Sequence, residues 1–542
     1  MLADPSSWCL TKSVLEDVKS ITVQTNMAWP PVDPVLVLVG TALLASALCL
    51  VYPRRLRRNS PYPLPPGPPG KFLVGNLGQL SIDHPEQDYI RWGKQYGSDV
   101  IYTNVLGQHM ICLNSAKAAT DLLDRRGANY CDRPRFTLFE VMGWGLTLTF
   151  LRWGPQFKLH RRLFQNTFTQ SNVKTFRSIQ LHESRKAVRS LVHDPTDWQE
   201  ITLLLTTSII FRIAFGQEIT DKESPYCDMS KAANNATTNG GIAGSTLVDI
   251  FPLARFIPNW FNPSAPLRHA RASRTAIQTI HNEPWEANIK DIEAGNAAPS
   301  FMQMYWQKYK ENEKAGKQQD MTMADIKGAT GAVFIAGGNS TWGTILSNLL
   351  FLTKYPERQR KVQEEIDSLL DAGEQPRLPT FEDRERLKRL DNFMMETMRC
   401  LPLNPLVIPH KSLEDDVYEG MFIPAGTTVF ANTTAMTTDP DTYQEPDKFD
   451  PERYTRGEPY PSGNFGFGRR KCPGNFLALA SVYMFLATFL AAFELEQVIG
   501  EDGKPKVPEP GVSIGLGGHP APFECTLKVR RPDIAELLMQ EA

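Results

Sequence analysis

The chain has 542 residues, 42% of them apolar and 22% charged, which is long enough to bury a substantial core. Its 58 Lys+Arg against 60 Asp+Glu exclude a nucleic-acid-binding polycation, and the composition excludes wholesale disorder. Eight scattered cysteines without a C-x-x-C and nine histidines without an H-E-x-x-H leave no disulfide scaffold or zinc site to build on. There is no G-x-x-x-x-G-K-[ST] and no convincing G-x-G-x-x-G, so any redox chemistry takes its electrons from a partner.

In chain order, residues 1–34 precede an uncharged run, VLVLVGTALLASALCLVY at 35–52, which as a helix spans about 27 Å. Arg54, Arg55, Arg57 and Arg58 follow at once, whereas the segment before the run carries only Lys12 and Lys19. The positive-inside rule therefore predicts a single transmembrane anchor at 35–52, a lumenal segment 1–34 and a cytosolic remainder, the layout of a single-pass endoplasmic reticulum protein. A cleaved signal peptide is the competing reading, but a basic stop-transfer cluster closes the run where small residues would be expected. Residues 53–70 are basic and then proline-rich (Pro61 to Gly70), which predicts a stiff linker holding the domain away from the membrane. From 71 to 542 no further linker or repeat interrupts what reads as one domain. Its N-x-[ST] sequons at Asn235, Asn339 and Asn432 stay unglycosylated if it is cytosolic.

Within that domain Thr322-Met-Ala-Asp325 is a capping box, and no proline follows until Pro356, predicting an unusually long helix. Ala336-Gly-Gly-Asn-Ser-Thr341 lies inside it, and adjacent glycines cost about 1 kcal/mol each there. Either a helix packs closely on them or something flat lies against the backbone. Leu387, Leu390, Met394 and Met398 form one stripe of a second helix, with Glu396 and Arg399 on a neighbouring face; alone, that pair reads as a solvated ion pair. Short β-branched runs between Asp415 and Ala431 suggest a small sheet, and Phe523–Val529 alternates as a strand. The expected fold class is mainly α with minor β.

Phe465-Gly-Phe-Gly-Arg-Arg-Lys-Cys-Pro-Gly474 puts Cys472 in a glycine-rich loop behind three cations and before an apolar helix, a setting that favours the thiolate. A thiolate is a nucleophile or a metal ligand. No histidine and carboxamide signature for nucleophilic catalysis lies nearby, whereas haem iron requires only one protein ligand.

The loop resembles the haem-binding F-x-x-G-x-R-x-C-x-G of the cytochrome P-450 family, matched at Phe465, Gly468, Arg470, Cys472 and Gly474. Glu396-Thr-Met-Arg399 resembles its E-x-x-R, and Phe449-Asp-Pro-Glu-Arg-Tyr454 its P-E-R-F segment, in the family's order. Val407-Ile-Pro-His410 and the stretch from Glu414 to Pro424 look most like fungal members of secondary metabolism. The resemblance implies a cytochrome P-450 fold behind the anchor, haem b (iron protoporphyrin IX) ligated by Cys472, and a buried structural triad of Glu396, Arg399 and Arg453. It implies haem-propionate contacts at Arg161, His410 and Arg470, with His160 adding a donor, and cofactor contacts at Phe465 and Gly337. Phe157 stands where the family usually has tryptophan, so an indole N–H is absent. NADPH-derived electrons would arrive through a cytochrome P-450 reductase docking at Lys158, Arg162, Arg469 and Lys471.

In the long helix the family pattern [AG]-G-x-[DE]-T-[TS] meets Asn339 in place of the acid and Ser340 in place of the threonine. In the family these groups relay protons while dioxygen is cleaved. Serine keeps the hydroxyl, but an amide cannot cycle a proton as a carboxylic acid does. The resemblance thus implies a monooxygenase whose relay uses Ser340, Thr341 and water beside Asn339. The rivals are a haem-thiolate isomerase or dehydratase and a non-catalytic haem-binding sensor. Substrate contacts are expected from 136–150, 240–248, Val333, Ala336, Val407 and 512–516, an apolar set that suits a terpenoid or polyketide. Phe251, Phe256, Trp260 and Phe261 offer a second membrane contact.

Overall fold

The computed structural model describes residues 60–541 apart from 82, 242–243, 245, 262–263, 374 and 512–517. The segment 1–34, the anchor 35–52, the basic part of the linker and the loop 512–516 therefore lie outside the described residues. The proline-rich stretch does not stand off as a spacer. It forms no helix or ladder of its own but is laid along the domain, where Pro66 accepts a hydrogen bond from Tyr102 N (2.8 Å) and Pro63 one from Phe422 N (2.7 Å). The folded unit accordingly begins at Pro61, ten residues before the expected boundary.

The long helix runs from Met323 to Lys354. Thr322 Oγ1 receives the Asp325 N–H (3.1 Å) and Asp325 Oδ2 receives the Thr322 N–H (2.9 Å), closing the capping box. Pro356 opens the next helix, Pro356–Leu370. The long helix is apolar on all sides because it is surrounded. Its most extensive partner is Trp198–Phe215, and it also packs on Asn475–Ala492, the helix that follows Cys472. Among the described residues Asn475–Ala492 alone is long and apolar enough to cross a membrane, and it is buried within the protein as a core helix.

The glycines of the long helix serve close packing. A Cβ on Gly337 would stand 2.5 Å from Ile210 Cδ1 of the Trp198–Phe215 helix, and one on Gly328 would stand 2.6 Å from Leu146 Cβ. Gly337 borders the central cavity but was expected as a cofactor contact; the space left by its missing side chain is filled by Ile210.

The β portion is small. β1 (Val100–Val105) and β2 (Gln108–Leu113) form an antiparallel hairpin, β6 (Thr428–Ala431) lies parallel to β2, and β3 (His410–Lys411) closes the sheet antiparallel to β6. β4 (Asp416–Tyr418) and β5 (Met421–Ile423) form a separate hairpin, turned at Glu419 and Gly420 with φ of 48° and 76°. The expected sheet over Asp415–Ala431 is thus divided between two sheets, because Pro424-Ala-Gly426 breaks the chain between β5 and β6. In the tail, β8 (Thr526–Val529) pairs with β7 (Phe493–Glu496).

Glu396 and Arg399, on the helix Lys388–Cys400, are both fully buried, so the solvated reading of that pair fails. Glu396 accepts from Arg399 Nε (2.8 Å) and Nη2 (2.9 Å), Arg453 Nε (3.0 Å), Tyr454 OH (2.9 Å) and the Asp450 amide (2.8 Å). The guanidiniums then donate outward to the carbonyls of Thr437, Gln444, Pro446 and Lys448, and so fix the irregular chain that leads to the cysteine loop. Removing one partner of such a set leaves buried charge uncompensated, at a cost of about 3–5 kcal/mol. Glu396→Ala is therefore expected to lower unfolding stability by about that amount and to yield protein that fails to retain haem. Urea unfolding followed by tryptophan fluorescence measures the first effect, and a near-wild-type midpoint would refute the structural role.

Candidate active site

The cysteine loop is shaped by its glycines. Gly466 and Gly468 have φ of 70° and 55°, and a Cβ on Gly468 would collide with the Leu123 carbonyl. Gly468 N–H donates to Asp124 Oδ1, and Cys472 N–H donates back to Phe465 O (2.8 Å), closing the loop. Cys472 Sγ opens on a cavity of about 350 Å³ bounded by the long helix, and the residue is accessible from it. Burial pushes its thiol above the ordinary range, against the Gly474 N–H and Arg161, which pull it down. The expected stabilisation of the thiolate is present but does not by itself outweigh burial. A cation on the sulfur is what makes a thiolate here.

Three buried or half-buried guanidiniums line this cavity, and each keeps an unpartnered buried N–H: Arg133 Nε, Arg161 Nε and Arg470 Nη2. Arg470 is held by Cys131 O (2.7 Å) and Leu151 O (2.8 Å), Arg161 by Lys471 O (2.5 Å), and Arg133 by the carbonyls of Pro409 (2.8 Å) and Ile408. Burial lowers the pKa of all three, that of Arg470 to about 10. No carboxylate lines the cavity among the described residues. Buried cations with free donors and no internal anion form a site for a ligand that carries carboxylates.

His410 Nδ1 donates to Tyr130 O (2.8 Å), and burial followed by repulsion from Arg133 pushes its pKa down to about 3. It is therefore a neutral imidazole whose unpartnered Nε2 carries a lone pair, and it becomes the expected donor only when a carboxylate beside it restores the proton. His160 is a correction. One residue before Arg161 on the helix Pro155–Thr167, it is turned off the cavity, and its Nε2 meets Asp325 Oδ1 (3.0 Å) at the capping box of the long helix. Phe157 offers no indole N–H, yet its ring lies 3.6 Å beneath the Arg470 guanidinium and holds that cation by its π face. Arg133 was not found from sequence; nothing in Cys131-Asp-Arg-Pro-Arg135 separates it from Arg135, which is paired with Glu140.

Above the sulfur, Ala336, Asn339, Ser340 and Thr341 of the long helix face the cavity together. Ser340 Oγ donates to Ala336 O (2.8 Å) and Thr341 Oγ1 to Gly337 O (2.7 Å), so each hydroxyl retains lone pairs for an incoming donor. Phe465, Val333 and Val407 line the cavity as expected, but other expectations shift. Of 136–150 only Trp144 and 147–150 reach it, with Phe136 and Phe139 packed behind against Phe150. On the next wall, Asn234 and Thr237 stand in for the expected 240s among the described residues. On the outer face of the cysteine side, exposed Lys158 and Arg469 both stack on Trp153 (5.1 and 5.3 Å), beside exposed Lys471, while Arg162 is paired with Asp320 (2.7 Å).

Residues 65–526 match the family described as Cytochrome P450. A cytochrome P450 monooxygenase of Armillaria gallica is 34% identical over 93% of this chain and 99% of its own length. A tryptamine 4-monooxygenase of Psilocybe cyanescens is 32% identical over 92% and 99%, and a monooxygenase of Postia placenta 33% over 92% and 96%. A zebrafish cytochrome P450 solved with progesterone shares the fold, with a TM-score of 0.68 over 82% of this chain and 99% of its own, at 22% identity.

The donor set fits haem b: one sulfur for iron and several cationic or convertible donors for the two propionates. Cys472→Ser is expected to keep a folded protein but to lose the red-shifted carbonyl absorption of reduced thiolate-ligated haem; survival of that band would reassign the ligand.

Proposed function

The chain belongs to the cytochrome P450 family, whose fungal members most similar to it are monooxygenases, and from that premise we propose that it oxidises an uncharged, apolar secondary metabolite, a terpenoid or polyketide. The observation that carries the substrate class is the cavity wall. Leu148, Phe150, Phe164, Ile209, Ile210 and Val333 are apolar, and no carboxylate stands among the described lining residues. A protonated amine, the kind of substrate named for the Psilocybe relative, would meet no counter-charge among the described lining residues.

Haem b, with electrons relayed from NADPH by a separate reductase, supplies the activation of dioxygen. The chain would hold the group by Cys472 Sγ and by Arg133, Arg161, Arg470 and His410 at its carboxylates. Phe150 and Phe164 exclude water from the apolar side. Ser340 and Thr341 hold protons on hydroxyls bonded to the helix carbonyls and pass them by rotating off those carbonyls. Asn339 positions water by its amide without cycling a proton. The exposed cations Lys158, Arg469 and Lys471 form the face offered to an acidic reductase.

The membrane reading rests on the anchor sequence and on a second apolar arm. Leu253, Phe256, Trp260 and Phe261 are 80%, 73%, 83% and 68% exposed, and Phe72, soon after the proline segment, is 86% exposed. Ile250 and Leu80 pack on one shared core cluster, which brings both arms to one end of the domain. Of the three sequons only Asn235 is exposed; Asn339 and Asn432 are buried. If the domain is cytosolic, the full-length protein from a eukaryotic host shows no mobility shift on endoglycosidase treatment, whereas a glycan at Asn235 would invert the topology.

Metabolite profiling of a fungal host co-expressing the protein and a reductase under heavy-isotope dioxygen tests the reaction. A new product carrying one labelled oxygen is expected; a new unlabelled product would favour the isomerase or dehydratase reading, which the amide at 339 makes specific. Asn339→Asp is expected to raise the fraction of NADPH consumption that ends in product, and unchanged coupling would count against the relay.

A further inference from the structure

Two buried asparagines on other helices of this domain bond their amide nitrogens locally. Asn288 Nδ2 donates to Pro284 O (2.7 Å) and Asn348 Nδ2 to Thr344 O (2.8 Å), each four residues back. Two lining threonines also bond locally, Thr237 four residues back to Ala233 O (2.7 Å) and Thr206 three back to Leu203 O (3.1 Å). Asn234, on the helix Pro225–Thr238, does not. It is 9% exposed, it lines the cavity, and neither its carboxamide oxygen nor its amide nitrogen makes a hydrogen bond among the described residues. Ser230, four residues back, supplies the same carbonyl that Asn288 and Asn348 use, so the carboxamide of Asn234 is turned away from its own helix.

Other neutral lining groups share this state, among them Asn464 Nδ2. Thr147 Oγ1 and Trp144 Nε1 are buried and unpartnered, on residues 4% and 1% exposed. Both come from the segment between Phe136 and Leu151, a different part of the chain from Asn234. Polar atoms left unsatisfied in an apolar cavity are costly unless a ligand or water completes them. The arginines of the same cavity would be matched by the haem carboxylates, which leaves neutral groups such as these to meet a substrate.

From this geometry we infer that Asn234 is a specificity-determining residue that hydrogen-bonds an uncharged oxygen function, a hydroxyl or carbonyl, on an otherwise apolar substrate, with Thr147 and Trp144 as further neutral partners. This rests on the proposed reading that an apolar metabolite occupies the cavity. A carboxamide both donates and accepts, so it serves either oxygen function, and it offers no charge to an amine or an acid. The substrate is therefore a molecule already oxygenated once, so an earlier oxidation or an oxygen-retaining cyclisation must supply it.

The test is spectral titration of the full-length haem-loaded protein, reading the shift of the haem band on ligand entry, with paired probes: cedrane and cedrol, androstane and androstan-3-one, and tryptamine. In the wild type each oxygenated probe is expected to bind about tenfold more tightly than its parent hydrocarbon, the value of about 1.4 kcal/mol. In Asn234→Leu that preference should vanish while the hydrocarbons bind as well or better. Asn234→Ser serves where the leucine variant lacks a normal carbonyl spectrum, and is expected to weaken the preference. If no oxygenated probe binds more tightly than its parent, or if the preference survives both substitutions, Asn234 holds at most a water and the inference falls. When hydrocarbons still shift the band in that case, the apolar reading of the substrate stands without it. Binding of tryptamine alone would overturn both.

Discussion

The site depends on a charge constraint: three guanidiniums line a cavity that holds no carboxylate among its described lining residues. Such cations are tolerable only if something supplies negative charge, and haem b would do so with its two carboxylates. Much of the surrounding fold follows from placing these cations. Arg470 is pinned by carbonyls of Cys131 and Leu151 and floored by the Phe157 ring, and Arg161 is tied to the loop that carries Cys472. The second buried charge set, around Glu396, is balanced internally and contributes no chemistry. Its role is to fix the chain that delivers the cysteine loop, so that one charged cluster is closed on itself and the other is left open for a ligand.

What was legible in the sequence is what short-range spacing encodes. The capping box before Met323, the three-residue spacing of Glu396 and Arg399, and the glycines around Cys472 each specify a local geometry, and the fold keeps all three. The partition of a residue between two faces is less legible. His160 and Arg161 are neighbours, but a helix turns about 100° between them, which sends one to Asp325 and the other to the cavity. Gly337 carries two readings that only the position of Ile210 separates. Arg133 and Asn234 could not have been found by motif, because what distinguishes them is a buried polar atom left without a partner, Arg133 Nε and Asn234 Oδ1, a property of the folded surroundings alone.

The family's tryptophan position shows how such a departure is absorbed. A phenylalanine at 157 loses a donor to the haem rim, but its ring is free to stack directly under Arg470 at 3.6 Å. The cation that remains is held by that ring, while Arg133 and His410 each keep an unpartnered nitrogen in the same cavity. The substitution redistributes contacts around the propionates and leaves the charge balance of the site unchanged.

The same balance explains why an amide at position 339 is compatible with this cavity. A carboxylate on the long helix would be an anion in a lining that otherwise holds none among the described residues. It would also place a charge on the side where the proposed substrate brings only apolar surface and a neutral oxygen. With Asn339 the long helix brings no charge to the cavity, and in the proposed mechanism proton movement falls to Ser340 and Thr341, whose hydroxyls are held by helix carbonyls one turn back. Such hydroxyls exchange one hydrogen bond for another without any charged intermediate on the wall. The arrangement gives up the proton supply of an acid for a cavity that discriminates by neutral hydrogen bonds, and both features trace to the exclusion of anionic side chains from the described lining.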